Sequence, residues 1–296
     1  MKIHEAFAEY RRHEVLAMNY SPSTFQSYLN AEKKVIAHFG NIDVSAIDID
    51  GVHELYLDMI HNCCSDTARS YLSKLRVVLR YCRNHGEKTI DPDEIKLPRR
   101  EKKVARFLTD KEYTRFMSEI SRSHRGYKNI DRYRNTLIAE MLFVTGLRVS
   151  ELCALDRDSI CNRQFVVVGK SKEPRVCFIT RDVERKIDCY LSMRTDTNRA
   201  LFVDQNTSER IKARNVQRVF RRVSKESGIS GCTPHTMRHS FATYMIEDGV
   251  DIRFVAAMLG HQSLQTTQRY THIRDAKLQQ VYENAMGCGK VPAFCG

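Results

Sequence analysis

Residues 87–106 interrupt the helical periodicity that runs through most of this chain. The segment reads EKTIDPDEIKLPRREKKVAR, contains Pro92 and Pro98, and ends in a dense basic cluster. A stretch with two prolines and no apolar period is typical of a linker, because proline disfavours regular helix. At 296 residues the chain also exceeds the usual size of one core. The sequence therefore predicts two domains joined by residues 87–106.

Residues 1–86 read as a helical domain. Residues 21–24, SPST, form a helix start, and residues 25–39 keep apolar side chains at helical spacing. A second helix starts near Asp50, and a third is predicted over about 66–84. Four arginines of the third helix share one narrow arc. This face suits phosphate groups, although a solvated charged face fits the pattern equally well. The four are Arg69, Arg76, Arg80 and Arg83.

Basic residues are distributed unevenly along the chain. Residues 1–100 carry 14 Lys and Arg against 14 Asp and Glu, whereas the remainder carries 34 against 22 and accounts for the whole formal charge of +12. That excess predicts attraction to a polyanion, of which nucleic acid is the commonest. The basic cluster that ends the linker is predicted to follow a DNA backbone. It contains Arg99, Arg100, Lys102 and Lys103.

Cysteine usage and hydropathy bound the cellular setting. The ten cysteines are scattered without a CxxC pair, which supports neither a zinc site nor a disulfide framework. The N-terminus is charged throughout, and the most apolar stretch, residues 136–147, is too short for a bilayer. We expect a soluble, cytoplasmic, DNA-associated protein with reduced thiols and no membrane partner.

Residues 107–296 are predicted to be mostly helical with one β-hairpin. Thr109 suits the N-cap position of the first helix. Residues 164–168 are apolar and largely β-branched, residues 169–174 have turn chemistry, and residues 175–180 resume β character.

Two motifs of this second domain combine basic and hydrogen-bonding side chains. TGLRVSEL places Arg148 after an apolar helix and a glycine turn, with Glu151 three residues later. HTMRHSFAT places His235 and Arg238 three residues apart, hence on one helix face.

A third motif, LGH, ends in His261, and Tyr270 follows nine residues later. No GxxxxGK[ST] phosphate loop occurs, which argues against a nucleotide-driven motor. His235 and His239 are spaced like a zinc pair, but no Glu or Cys partner follows the required pattern, so we expect no metal.

Each of these residues also has a structural role open to it. Tyr270 could be an ordinary half-buried aromatic, and Arg148 could cap a helix with Glu151 as its ion-pair partner. The histidines could be structural, and a hairpin lysine could be a solvated turn residue. Their joint occurrence in this order favours a shared site.

Taken together, the motifs resemble those of the tyrosine recombinase family, especially Xer-type recombinases and the integrases of phages and mobile elements. The resemblance covers nearly the whole chain: a helical, SAM-like core-binding domain at 1–86, a basic linker at 87–106 and a catalytic domain at 107–296. It implies a mainly α protein with a small β-hairpin, forming a two-domain, C-shaped clamp on double-stranded DNA.

The resemblance implies a role for each matching residue. Tyr270 matches the nucleophile, Arg148 and Arg238 match the arginines that clamp the phosphate, and Glu151 matches the acid that supports the first arginine. The remaining catalytic positions are Lys170, His235 and His261.

The hairpin departs from the family pattern. It reads GKSKEPR, where relatives commonly have GKG followed by a polar residue, Lys and Arg. Ser171 and Pro174 can reshape the turn, so Lys172 is a second candidate for the general acid that Lys170 matches.

The implied reaction is strand cleavage and rejoining through a 3′-phosphotyrosine. Arginines suit the charge that builds on an attacked phosphodiester, and a lysine can protonate the leaving 5′-oxygen. The covalent intermediate conserves the bond, so rejoining needs no ATP, metal or other cofactor.

The resemblance further implies strand exchange by four protomers on paired DNA sites, through a Holliday junction, with a monomer or dimer off DNA. A terminal helix at 275–286 has an apolar face expected to dock on a neighbouring protomer. The core-binding helices begin almost at Met1, so we expect no arm-binding domain. Two alternatives stay open: a type IB topoisomerase-like enzyme that relaxes DNA, and a non-cleaving DNA-binding regulator.

Overall fold

In a computed structural model, the chain forms two compact units, Met1–Lys103 and Val104–Gly296. Both are helical, and within the described parts the only sheet has two strands. The predicted mainly α class with a small β-hairpin is confirmed. The structure describes residues 1–99, 105–122, 129–169, 173–260 and 275–286.

The first unit is a set of short and medium helices, and side chains cap the starts of α2 and α3. The Ser21 hydroxyl accepts the Thr24 N–H at 3.3 Å, and the Asp48 carboxylate accepts the Gly51 N–H at 2.8 Å. The predicted helix starts near residues 21 and 50 are therefore confirmed. The elements are α1 (Ile3–Tyr10), a π-helical turn (Arg11–Leu16), α2 (Pro22–Phe39), a 3₁₀ turn (Val44–Ala46), α3 (Ile49–Asn62) and α4 (Ser65–Asn84).

The core of this unit includes part of the predicted linker. Leu72 and Leu75 of α4 are buried in it, and so is Ile95, from the segment after α4. Ile90 and Leu97 pack against the same core. Because these three apolar side chains pack on the first unit, the first half of the predicted linker belongs to its core. The domain boundaries remain a prediction at residue resolution.

The second unit is organised around one central helix, α6. This helix is buried on all sides from Leu137 to its end, as expected for a helix surrounded by others, and it packs against α5, α8 and α10. Thr109 caps α5 in a reciprocal capping box with Glu112, which confirms the predicted N-cap. The helices are α5 (Asp110–Ser121), α6 (Asn129–Thr145), α7 (Val149–Ala154), α8 (Arg181–Ser192), α9 (Ala213–Glu226), α10 (Pro234–Glu247), α11 (Ile252–Leu259) and α12 (Asp275–Met286).

The hairpin consists of β1 (Gln164–Val168) and β2 (Pro174–Phe178), paired antiparallel with Val168 opposite Pro174. Phe165 and Val167 are buried whereas Val166 is exposed, the period of two expected for a strand with one face on the core. The predicted hairpin is confirmed. Its predicted catalytic lysines, Lys170 and Lys172, lie outside the described residues.

Helix α12 has the predicted bounds, and its apolar face is covered within the same chain. The sequence favoured docking of its apolar face on a neighbouring protomer. Tyr282 and Ala285 are buried against Phe178 and Met258 of the same chain. An ion pair of 2.9 Å between Arg163 and the Glu283 carboxylate adds to this contact. Within the single chain, β2 and α11 supply the apolar surface that covers this helix. Docking of α12 on a neighbouring protomer stays a prediction.

The described residues contain neither a membrane-spanning helix nor a disulfide. No described helix is both long and apolar enough to cross a membrane. The eight described cysteines are free thiols. Burial raises the pKa of the Cys153 and Cys177 thiols to about 11, so both stay neutral and unreactive near neutral pH.

Candidate active site

The TGLR segment turns sharply from α6 into α7 at Gly146. This residue has φ +61°, and a Cβ atom there would lie 2.5 Å from Phe241 Cδ1 and 2.7 Å from Leu259 Cδ2. Only glycine fits this conformation and this contact without strain. The turn therefore brings the backbone before Arg148 directly against α10 and α11.

Arg148 is the N-cap residue of α7 and is bonded twice to Glu151. Its backbone N–H donates to Glu151 Oε2 at 2.9 Å, and its Nη1 donates to Oε1 at 2.8 Å. The structural role of capping and ion pairing is thus present. The Arg148 side chain nevertheless stays 31% exposed. Since a guanidinium has five N–H donors, this arginine retains donors for a second anion.

A second arginine, Arg175 of β2, holds the same carboxylate. Its Nη1 donates to Glu151 Oε1 at 3.1 Å and its Nη2 to Oε2 at 2.6 Å. Burial would raise the pKa of Glu151, but the hydrogen bonds from Arg175 and Arg148 outweigh it and lower the pKa to about 2. Glu151 is therefore a charged, fully bonded carboxylate. Sequence analysis did not single out Arg175.

Arg238 of α10 joins the other two motifs. Its Nη1 donates to the Gly146 carbonyl at 2.7 Å and its Nη2 to the Leu259 carbonyl at 2.6 Å. Burial, followed by the positive charges of Arg148 and Arg175, lowers the pKa of Arg238 to about 10. The guanidinium stays charged at neutral pH, so the site concentrates positive charge.

The two histidines of HTMRHSFAT lie near the start of α10 and are exposed. His235 is one helical turn before Arg238, on the same face. Partial burial, and then the charges of His235 and Arg238, lower the pKa of His239. A lowered pKa favours the neutral imidazole of His239 at neutral pH.

The structure thus brings together Arg148, Glu151 and Arg238. Gly169 and Gly260, which precede the predicted site residues Lys170 and His261 in the sequence, lie beside this group. Gly260, the residue before His261, is the left-handed C-cap of α11 with φ +64°. A Cβ on Gly169, the residue before Lys170, would lie 3.3 Å from Arg148 Nη1. His261 and Tyr270 lie outside the described residues, as do both hairpin lysines.

A basic face on α9 escaped the sequence analysis. Its Val216, Val219 and Phe220 are buried, while four cationic side chains at spacings of four, three and four are exposed on the other side. Plotting these residues at 100° per residue, as for the arginines of α4, shows the same separation of an apolar and a basic face. The four are Arg214, Arg218, Arg221 and Lys225.

The predicted arginine face of α4 is partly occupied by its own chain. Arg83 pairs with Asp91 at 3.0 Å, and Arg80 pairs with Asp93. Arg69 donates to the Pro98 carbonyl. Within the described residues, no hydrogen-bond partner reaches the buried Nε of Arg76.

The predicted basic cluster of the linker is described only at its start. Arg99 is exposed, whereas Arg100, Lys102 and Lys103 lie outside the described residues. A DNA-binding role for α4 and for this cluster stays a prediction.

Comparison with known proteins gives related sequences over most of the chain. Residues 106–277 match the model of the phage integrase family. The chain is 35% identical over 200 residues to tyrosine recombinase XerA of Thermococcus kodakarensis, covering 66% of this chain and 68% of that protein. It is 31% identical over 252 residues to tyrosine recombinase XerD of Oceanobacillus iheyensis, covering 81% and 82%.

Solved structures share the fold. A lambda integrase (75–356) dimer bound to a COC′ core site aligns with a TM-score of 0.73 and 20% identity, covering 89% of this chain and 96% of that one. The Tn1549 transposon integrase in complex with circular intermediate DNA aligns with a TM-score of 0.68 and 19% identity, covering 95% and 98%. With the family match extending over more than half of its length, the chain belongs to the phage integrase family, the tyrosine recombinases.

Proposed function

We propose that this protein is a site-specific DNA recombinase that cleaves and rejoins duplex DNA through a 3′-phosphotyrosine at Tyr270. One observation carries the proposal. The Arg238 guanidinium bonds the carbonyls of Gly146 and Leu259, so the TGLR, HTMRHSFAT and LGH motifs meet at one place. Residues that are distant in sequence are brought together there as a cationic site.

The arginines suit the binding of a phosphodiester. Arg148 uses one guanidinium nitrogen on Glu151, and Arg238 uses two on backbone carbonyls, so each retains N–H donors. Those donors would meet the nonbridging oxygens, on which negative charge grows as phosphorus is attacked. Because the protein holds both guanidinium groups before substrate binds, little reorganisation is needed at the moment of reaction.

The chemical step is a transesterification. The Tyr270 phenol, with a usual pKa of about 10, loses its proton and its oxygen bonds to phosphorus. The bond from phosphorus to the 5′-oxygen breaks, and Lys170 protonates that oxygen, with Lys172 as the second candidate. His235 and His261 complete the set that bonds the phosphate. A 5′-hydroxyl then attacks the phosphotyrosine, which restores the phosphodiester and frees Tyr270.

Four protomers on two paired sites would exchange strands through a Holliday junction. The fold is shared with a lambda integrase tetramer bound to a Holliday junction, at a TM-score of 0.73 and 20% identity. This likeness supports the fold needed for such an assembly. The stoichiometry on DNA is part of the proposal.

Covalent trapping tests the proposal directly. Wild-type protein, Tyr270→Phe and the control Tyr20→Phe, which alters an exposed tyrosine of the first unit, would be incubated with fragmented source DNA. Metal and ATP would be left out. DNA that stays bound through SDS would be recovered and sequenced. We expect adducts at one or a few sequences with wild type and Tyr20→Phe, and none with Tyr270→Phe.

Other outcomes separate the alternatives. Adducts scattered without sequence preference would favour a topoisomerase-like enzyme. DNA binding without any adduct would favour a regulator. The apolar face of α12 is compatible with a monomeric topoisomerase as well, because it packs on its own chain.

A further inference from the structure

We propose that Arg175 is a positioning residue for strand cleavage. It fixes Glu151, the root of the hairpin tip and the end of α11 in one arrangement, and it thereby orients Arg148. The inference rests on the proposed recombinase function and adds a role for Arg175, to which that proposal assigned none. Arg175 acts through other residues and not on the phosphate itself.

The contact with Glu151 is bidentate and buried. The Arg175 side chain is 9% exposed and the Glu151 side chain 5%. Both carboxylate oxygens accept from Arg175, and both also accept from Arg148, once from its backbone and once from its guanidinium. With both oxygens held from two sides, Glu151 has one orientation, and it passes that orientation to Arg148.

Arg175 also holds the C-terminal end of α11. Its Nε donates to the Met258 carbonyl at 2.9 Å, while Arg238 takes the next carbonyl, Leu259. The last carbonyls of a helix lack partners within it and carry its negative partial charge, so two cations stabilise this end. A Cβ on Gly260 would lie 3.1 Å from Arg175 Cδ. His261 is the residue that follows Gly260 in the sequence.

The same guanidinium lies at the root of the hairpin tip. A Cβ on Gly169 would lie 3.4 Å from Arg175 Nη1 and also 3.4 Å from Glu151 Oε1. Gly169 immediately precedes Lys170. One side chain therefore lies beside Gly169, bonds the Met258 carbonyl near the end of α11, and bonds the carboxylate that orients Arg148.

A second buried arginine shows what a purely structural role looks like in this unit. Arg194 is fully buried, pairs with Asp196 and donates to the carbonyls of Ala200 and Leu201. These partners lie outside the three motifs. Arg194 and Arg175 thus match in burial and bonding but differ in what they hold, which makes Arg194→Met the control for Arg175→Met.

The test is a double-mutant cycle. The rate of single-turnover cleavage is measured at saturating protein on a DNA duplex that carries the sequence recovered by covalent trapping. The variants are Arg175→Met, Glu151→Gln, both together, Arg175→Lys and Arg194→Met. We expect Arg175→Met and Glu151→Gln each to slow cleavage about 100-fold, the cost of misplacing a catalytic group by about an ångström. The DNA dissociation constant should change little. The double variant should be no slower than the slower single, because both act through one contact.

Three further readouts exclude a loss of fold alone: a control variant, a conservative variant and the pH dependence of the rate. Arg194→Met should lower the denaturant midpoint yet cleave at the wild-type rate per folded molecule, and Arg175→Lys should recover part of the rate. Glu151 faces Arg148 before α7, Arg175 and Cys177 on β2, and Arg238 on α10. Without Arg175 the pKa of Glu151 rises, so Arg175→Met should lose rate at acidic pH where wild type does not. The double variant, lacking the carboxylate, should not show this loss.

The outcomes separate this inference from the proposed function. If wild type forms no adduct, the recombinase proposal fails and this inference fails with it. If wild type cleaves and folded Arg175→Met cleaves equally fast, only the positioning role is overturned. Multiplicative effects in the double variant, near 10⁴-fold on the same scale, would show that Arg175 and Glu151 act independently.

Discussion

Single residues set the geometry in which the three motifs meet, and Gly146 shows how narrow the choice is. Its positive φ allows the chain to leave α6 and reach Arg148, and its missing side chain leaves room for Phe241 and Leu259. Backbone conformation and packing both exclude a larger residue here. Gly249 has φ +83° but nothing within 4 Å of its would-be Cβ, so it meets only the first requirement.

Comparing these two glycines separates the two requirements. We expect Gly249→Ala to lose about 1–2 kcal/mol of stability from the left-handed backbone alone. Gly146→Ala should lose that amount and a further 1–3 kcal/mol, roughly, from overpacking against Phe241 and Leu259. Chemical denaturation of both variants measures the difference. Equal losses would mean that α10 and α11 move aside freely.

Contacts between residues close in sequence were predictable, whereas contacts between distant segments of the site were not. Glu151 stands three residues after Arg148, so the capping arrangement followed from the sequence itself. Arg175 reaches Glu151 across 24 positions and Met258 across 83. No local pattern encodes such contacts, because they exist only once the hairpin and α11 are packed together.

At the scale of elements, helix bounds were predictable because caps and apolar periods lie within each segment. The bounds of α12 agree with the prediction, yet the cover of its apolar face within the chain did not follow from the sequence. An apolar face specifies that a helix is covered but does not specify by what, and here β2 and α11 supply the cover. The basic face of α9 was equally readable from its spacing.

The α9 face has a measurable consequence for DNA binding. Replacing Arg218 or Arg221 by Ala should weaken binding similarly on specific and unrelated duplexes. Each replacement should reduce the slope of log affinity against log salt by about one, if that side chain meets a phosphate. Fluorescence anisotropy over a salt series measures both quantities. Arg185→Ala, at an exposed arginine of α8 paired with Asp182, is the control and should leave the slope unchanged.

For the whole molecule, the way α12 packs bears on association. Since its apolar face is already covered, free protein has no need of a second copy to bury it. We expect a monomer without DNA across the micromolar range by sedimentation velocity, and four protomers per pair of sites on DNA. Dimers that form without DNA as concentration rises would contradict the first expectation.

Arg80 and Arg83 in the first unit are already paired with anions of the same chain, Asp93 and Asp91. These anions are tethered carboxylates, and an incoming phosphate must displace them. Exposed pairs of this kind are weak, so displacement costs little against a dense row of charges. A duplex with one charge per about 1.7 Å can displace both at once and release its own condensed cations. If this face binds DNA as predicted, sparse polyanions or isolated phosphates would displace the two carboxylates less completely than a duplex does, so Asp91 and Asp93 would favour a dense polyanion over a small anion.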